Sequence, residues 1–359
     1  MNTLKLFIGL CLATVLFSCN QNSESIKLGV VIPLTGKLSE MGEAEKNGMN
    51  LAVEDLKNEG INLQLIIEDS KSNPKDGVTA ARKLIDIDQC NLILTATTGT
   101  SAAVEPITTE KKLNLIAYCM DQDISGKSDY VLRLYIGVES ESEAIKNYLK
   151  TNTAAKKIGL FYNRVEVWEK INKNSLKPFI EANGKEVVFM EDFAVGEKDF
   201  KNLVLKMKES KLDHLILLGY GFEFPQLFAE LKSQGMLDKI TVIGGWGFLY
   251  SKVAKEDLEG VMVAGPEYVF KNAELAAKFK QEYETKYNTS PNFDAAMAYN
   301  TIYTIGKNLK LNDLKAPIKT KLANQNFKGV VGEFSIDAKG NMILKTSLGK
   351  YKNGVIVSE

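Results

Sequence analysis

The sequence predicts an α/β protein of two doubly wound parallel-sheet lobes, and three observations carry that expectation. Short apolar runs alternate with stretches of helical period; the alternation halts and restarts near residue 158; and 359 residues exceed what one ordinary hydrophobic core employs. In the first series, residues 28–32, 63–67, 92–96 and 113–117 are apolar throughout or nearly so, as strands buried on both faces of a parallel sheet must be. Between them Met49, Ala52, Val53 and Leu56 fall at i, i+3, i+4 and i+7, and Val78, Ala81, Leu84 and Ile85 form a similar stripe. Right-handed strand–helix–strand crossovers turn such a series into an open sheet with helices on both faces. The second series runs through 158–162, 187–190, 214–218, 240–244 and 261–264. Its helical stripes are Phe200, Leu203, Val204 and Met207, with Asp199 as N-cap, then Phe224, Leu227, Phe228 and Leu231. No short-period repeat is present, which excludes a solenoid. Beyond residue 265 helices are predicted at 273–287, 293–310 and 313–325. The last thirty residues read as strands around the turns Asp337-Ala-Lys-Gly340 and Lys352-Asn-Gly354.

Composition and the amino-terminal segment bear on location. Lys plus Arg and Asp plus Glu number 45 each, so no basic stripe marks a nucleic-acid surface. Residues 1–18 carry one charge, Lys5, then an apolar stretch from Leu6 to Phe17 and a small residue, Ser18, which predicts a signal peptide. Leu16-Phe17-Ser18-Cys19 resembles the bacterial lipobox, with Cys19 as the acylated residue and 19–25 as a polar tether; several acyl chains on one residue anchor stably. Phe17 departs from the commonest residues of that motif. Two further thiols, Cys90 and Cys119, are placed at opposite ends of the first sheet, too far apart for a disulfide.

Four segments then carry a likeness extending over nearly the whole chain past the tether. They are Pro33-Leu-Thr-Gly36 with Met41-Gly42 and Asn47-Gly48; Asp69 with Asn73-Pro74 and Ala80-Ala-Arg-Lys-Leu-Ile85; Gly196-Glu-Lys-Asp-Phe200; and Phe327-Lys-Gly329 with Gly332-Glu-Phe334, Asp337 and Gly340. Together they resemble the leucine/isoleucine/valine-binding proteins, type I periplasmic binding proteins that serve ABC transporters. The resemblance implies a three-strand hinge, with crossovers near 138, 266 and 330. Residues 26–138 plus 266–330 would then form lobe 1, and 139–265 plus 331–359 lobe 2. Ligands of open α/β sheets bind at strand carboxyl ends, so the cleft between lobes is the expected site.

Thr97-Thr98-Gly99-Thr100-Ser101 lies between a strand and a helix, offering hydroxyls and free amides. It reads either as a plain capping turn or as a carboxylate grip; the resemblance implies the grip, centred on Thr98 with Thr100 and Ser101. Where the family places an acid for the ligand's ammonium group, this chain has Trp246. Where the family has a small residue and Thr after its fourth strand, it has Met120-Asp121. Either Asp121 replaces the missing acid or the ligand has no ammonium group, because an unpaired buried charge is costly. Trp168 and Trp246 are the chain's two tryptophans; both follow strands outside any helical core stripe and are expected as aromatic walls, with Tyr220 and Phe222 as further wall residues. Arg164 follows a strand end and reads either as a cleft cation or as a solvated arginine. His214, the single histidine, begins a strand away from the carboxyl ends and is expected to be structural.

Three function classes follow. The first is a monomeric, lipid-anchored, extracytoplasmic solute-binding protein of an ABC importer, needing no cofactor. It would capture an amino-acid-like or aromatic or apolar carboxylate by hinge closure and dock on a membrane permease. The second is a receptor of the same build signalling to a membrane kinase. The third, an enzyme, lacks a Ser/His/Asp set, a metal-ligand motif or a phosphate-binding Gly-rich loop with Lys.

Overall fold

The computed structural model describes residues 25–269 and 274–358, so the signal segment and Cys19 lie outside the described residues. Strands β1 (Ile26–Ile32), β2 (Leu63–Asp69), β3 (Leu92–Ala96), β4 (Asn114–Tyr118) and β5 (Val131–Arg133) make a first sheet in the order β2-β1-β3-β4-β5. Every pairing in it is parallel. Helices α1 (Ser39–Asn58), α2 (Pro74–Arg82) and α3 (Thr98–Glu110) make the crossovers. β3 and β4 are buried at every residue, which is why their sequences are apolar runs rather than alternations. Asn73 caps α2 by accepting from Lys75 N at 2.8 Å, with Pro74 filling the position whose N–H needs no partner.

The second sheet runs β15-β14-β10-β9-β8-β6-β7. β6 (Lys157–Asn163), β7 (Glu186–Phe193), β8 (His214–Leu218), β9 (Thr241–Gly244) and β10 (Met262–Pro266) are parallel. β14 (Thr346–Lys352) and β15 (Val355–Ser358) close one edge antiparallel, joined by the expected Asn353-Gly354 turn with both residues at positive φ. Helix α4 (Val138–Thr151) lies on this sheet. Beyond it come α5 (Glu166–Ile171), α6 (Lys177–Ala182), α7 (Lys201–Ser210) and α8 (Phe224–Ser233). Asp199 Oδ1 accepts from Lys201 N at 3.1 Å where α7 begins.

Helices α9 (Glu274–Tyr287) and α10 (Phe293–Asn308) return to the first lobe, where α10 lies along α1. Two glycines set that approach. A Cβ on Gly48 would stand 2.0 Å from the Ala295 carbonyl oxygen, and one on Gly306 would stand 2.4 Å from Leu56. The Tyr299 hydroxyl donates to Asp55 at 2.6 Å along the same seam.

Two expectations are corrected here. The helix expected over 313–325 is replaced by a 3-10 turn (Leu311–Lys315), a short α11 (Lys319–Leu322) and then β11 (Gln325–Gly329). Pro317 forces Ala316 into extended backbone, φ −130° and ψ 169°, and so breaks the helical run. The crossover expected near 330, with residues 331–359 in the second lobe, also moves. β11 pairs with β12 (Gly332–Ile336) and β12 with β13 (Met342–Leu344) in a separate antiparallel sheet. That sheet stays with the first lobe because the Arg133 N–H donates to the Gly340 carbonyl at 2.8 Å and its buried guanidinium donates to Asn341 Oδ1 at 2.7 Å. The chain therefore passes to the second sheet only at Lys345.

Replacing Gly48 with Ala tests the α1–α10 seam. Helix propensity favours Ala by up to about 1 kcal/mol. The new Cβ meets backbone that cannot swing aside, and overpacking of that kind costs about 1–3 kcal/mol or more. A lower urea midpoint for Gly48→Ala is expected; an unchanged or higher one would show that the seam is loose.

Candidate functional site

In an open parallel sheet a crevice forms where neighbouring connections leave in opposite directions. In the first lobe that point lies between β1 and β3, because β2 and β3 flank β1 on opposite sides. In the second, β6 stands between β8 and β7 in the same way. A cavity of about 640 Å³ opens at these carboxyl ends and is lined from both lobes. The first lobe contributes the segment after β1, the start of α3, Tyr118, Met120, Tyr135 and Asp294. The second contributes Tyr220, Phe222, Trp246 and Tyr250.

Four of the residues singled out from sequence line the cavity: Thr98, Tyr220, Phe222 and Trp246. Thr98 opens α3 behind Thr97, a β-branched residue at φ 72° and ψ 146°, a conformation costing on the order of 1–3 kcal/mol. The Thr97 N–H donates to the Tyr118 carbonyl at 3.1 Å, and its hydroxyl donates to Thr100 Oγ1 at 3.0 Å. These bonds hold the bend and direct the amino end of α3 at the cavity. The aromatic wall is layered. Trp168, 1% exposed, stands behind the lining with its ring 4.7 Å from Tyr220 and 6.2 Å from Trp246. Phe222 stacks on Tyr220 at 6.0 Å and is half exposed.

The remaining sequence candidates do not line the cavity. Thr100 is buried beneath the α3 turn, and Ser101 exchanges hydrogen bonds with Thr95. Asp121 caps a 3-10 turn by accepting from Asp123 N at 3.0 Å. Arg164 pairs with Asp192 at 2.6 Å on the surface. For these four a partner within a few residues or on the neighbouring strand satisfies the side chain. His214 is buried against Asp213 and Tyr148 in the sheet, a structural position as expected.

The sequence reading missed two acids. Glu45 on α1 and Asp294 in the first turn of α10 both line the cavity, each about 1% exposed. The seam set by Gly48 brings them together. Burial, then the neighbouring Asp294 charge, pushes the Glu45 carboxyl well above the usual carboxylate range. Burial pushes Asp294 up to about 6, against the pull of the Tyr135 and Tyr250 hydroxyls. Tyr135 donates to Asp294 Oδ1 at 2.9 Å, and Tyr118 to the Asp294 carbonyl at 3.4 Å. Glu45 Oε2 and Trp246 Nε1 have no hydrogen-bond partner among the described residues. A signal for Glu45 was present: it interrupts the inward stripe Gly42, Met49, Ala52 and Leu56 of α1 with a charge.

A sequence profile of the periplasmic binding protein family matches residues 25–354. The Leu/Ile/Val-binding protein of Escherichia coli is 23% identical over 345 residues, 92% of each chain. Among solved structures, the branched-chain amino acid transporter substrate-binding protein of Streptococcus pneumoniae, in complex with isoleucine, superposes with a TM-score of 0.78 at 23% identity. That match covers 93% of this chain and 98% of the other. A solute-binding protein of an ABC transporter from Rhodopseudomonas palustris, in complex with 3,4-dihydroxybenzoic acid, gives 0.81 at 20% identity, covering 93% and 96%.

The raised Asp294 carboxyl has a consequence for the ligand-free protein. It binds more protons folded than unfolded, so its contribution to stability is full below about pH 4 and is lost as pH rises through about 6. Asp294→Asn removes that loss. Relative to the wild type, the variant is expected to gain about 1–2 kcal/mol between pH 5 and pH 7 in urea titrations; parallel profiles would contradict the assignment.

Proposed function

The chain belongs to the periplasmic binding protein family, whose members bind solutes and are not enzymes, and on that premise we propose that it is the solute-capturing subunit of an ABC importer. In this reading it works outside the cytoplasm, tethered through an acylated Cys19, and hands a small ligand to a membrane permease. The observation that carries the proposal is the cavity between the lobes. It is large enough for an amino acid or a small aromatic acid, and its lining is shared between two sheets joined by thin crossings. A ligand touching both sides gains its full contacts only when the lobes shut, so binding shifts the population toward the closed form.

Residue roles follow from position. The amino end of α3 at Thr98, with its free amides, suits a carboxylate or other electron-rich group. Tyr220, Phe222 and Trp246 supply flat apolar contact from the second lobe. The relatives named above fit that range: one is named for leucine, isoleucine and valine, and another holds 3,4-dihydroxybenzoic acid.

Three measurements bear on the proposal. Mass spectrometry of small molecules carried through purification should find an amino acid or aromatic acid, and adding it should raise the melting temperature and shrink the particle in small-angle scattering. A particle of fixed size, indifferent to every such compound, would end the proposal. Trp246→Ala should weaken binding about tenfold or more while the fold is retained. Cys19→Ala should release the processed protein from membranes; retention in the membrane fraction would rule out the anchor.

A further inference from the structure

The two buried acids have no counter-charge among the described residues. Glu45 and Asp294 belong to the cavity wall, yet neither is in an ion pair found among the described residues, and Glu45 Oε2 lacks even a hydrogen bond. Two adjacent carboxyls out of water are costly when ionised and alone. Asp294 accepts from Tyr135 and stands in the first turn of α10, but Glu45 Oε2 has no such partner, and the seam beside them is already held by Tyr299 with Asp55 and by the close glycine contacts. The rings around them are electron-rich. Tyr118 and Tyr135 meet edge to face at 4.4 Å, and Trp246 and Tyr250 at 5.7 Å, and such faces attract cations. The cavity's own cations, Lys37 and Lys252, are exposed side chains that form no ion pair with either acid.

We infer that the ligand carries an ammonium group, which Glu45 and Asp294 hold against the tyrosine rings at the buried side of the cleft. The inference rests on the cleft being the ligand site. It answers how the family's missing acid at Trp246 is made good: the negative charge comes from α1 and α10 of the first lobe. An N–H-bearing cation supplies the donor that Glu45 Oε2 lacks and the charge that the pair lacks. An uncharged hydroxyl could supply only the first.

Ligand binding and proton release are then coupled. The ammonium group binds the ionised pair, so acid competes with it. The groups facing the pair are Tyr118 from β4, Tyr135 beyond β5, Tyr250 after β9 and, at the mouth, Glu40, Lys37 and Lys252. The tyrosines stay neutral, because burial raises each of them well above its ordinary value.

The test uses three matched pairs of amine and acid: isopentylamine with 4-methylpentanoate, phenethylamine with 3-phenylpropanoate, and putrescine with glutarate. At about 10 mM, at least one amine should raise the melting temperature and its acid partner should not. The amine should release protons on binding at pH 6, and its affinity should fall as pH drops from 7 to 5. Glu45→Gln, which keeps the shape and removes the charge, should weaken it about 30-fold or more while leaving ligand-free stability unchanged or higher. A merely structural glutamate would instead lower stability and spare affinity. Stabilisation by acids without any amine overturns this inference and leaves solute capture standing. Stabilisation by no compound also overturns it, and solute capture is then judged separately on the molecule carried through purification.

Discussion

The contact between α1 and α10 decides where the cleft is charged. Gly48 lets the Ala295 carbonyl come close enough that no side chain could intervene, and Gly306 does the same one end further along against Leu56. Helices held at that spacing place Glu45 and Asp294 beside one another at the cavity wall. A packing feature thus sets an electrostatic one. The same seam also carries hydrogen bonds from Tyr299 to Asp55 and from Tyr303 and Lys307 to Glu59.

The crossings between the lobes are tied to one another rather than independent. Arg133 is buried where the last strand of the first sheet, β5, ends, and its guanidinium donates to Asn341, to the Tyr135 carbonyl and to the Met342 carbonyl. Burial lowers its pKa, while the Glu139 carboxylate acts in the opposite sense. A cation enclosed in this way is tolerable only because its donors are met. The Thr346 hydroxyl donates to the Ser140 carbonyl at 2.7 Å, joining the start of the third crossing's strand to the first crossing's helix. These bonds tie the first crossing to the third.

Most of the fold was legible because parallel strands must be apolar on both faces, and β3, β4 and β8 are buried throughout. The third crossing was not legible. The turns near the end of the chain signal hairpins locally, but which lobe they join is decided by Arg133 meeting Asn341, 208 residues away. The site divided along similar lines. Tyr220, Phe222, Trp246 and Thr98 stand directly after strands, so their place in the chain foretold their place in the cleft. Asp121 and Arg164 also follow strands, yet nearby partners turn them aside. Asp294 drew no reading from the sequence, because only the depth of α10 in the lobe reveals that it is out of water.

The layered wall of the second lobe gives the protein a built-in optical reporter. Its two indoles, Trp168 and Trp246, lie 6.2 Å apart at the cleft, and the sequence contains no other tryptophan. Both ring N–H groups are buried without a partner among the described residues, so the polarity around them responds to what enters or leaves that space. Emission excited in the indole band therefore reads the cleft alone, free of background from the rest of the molecule.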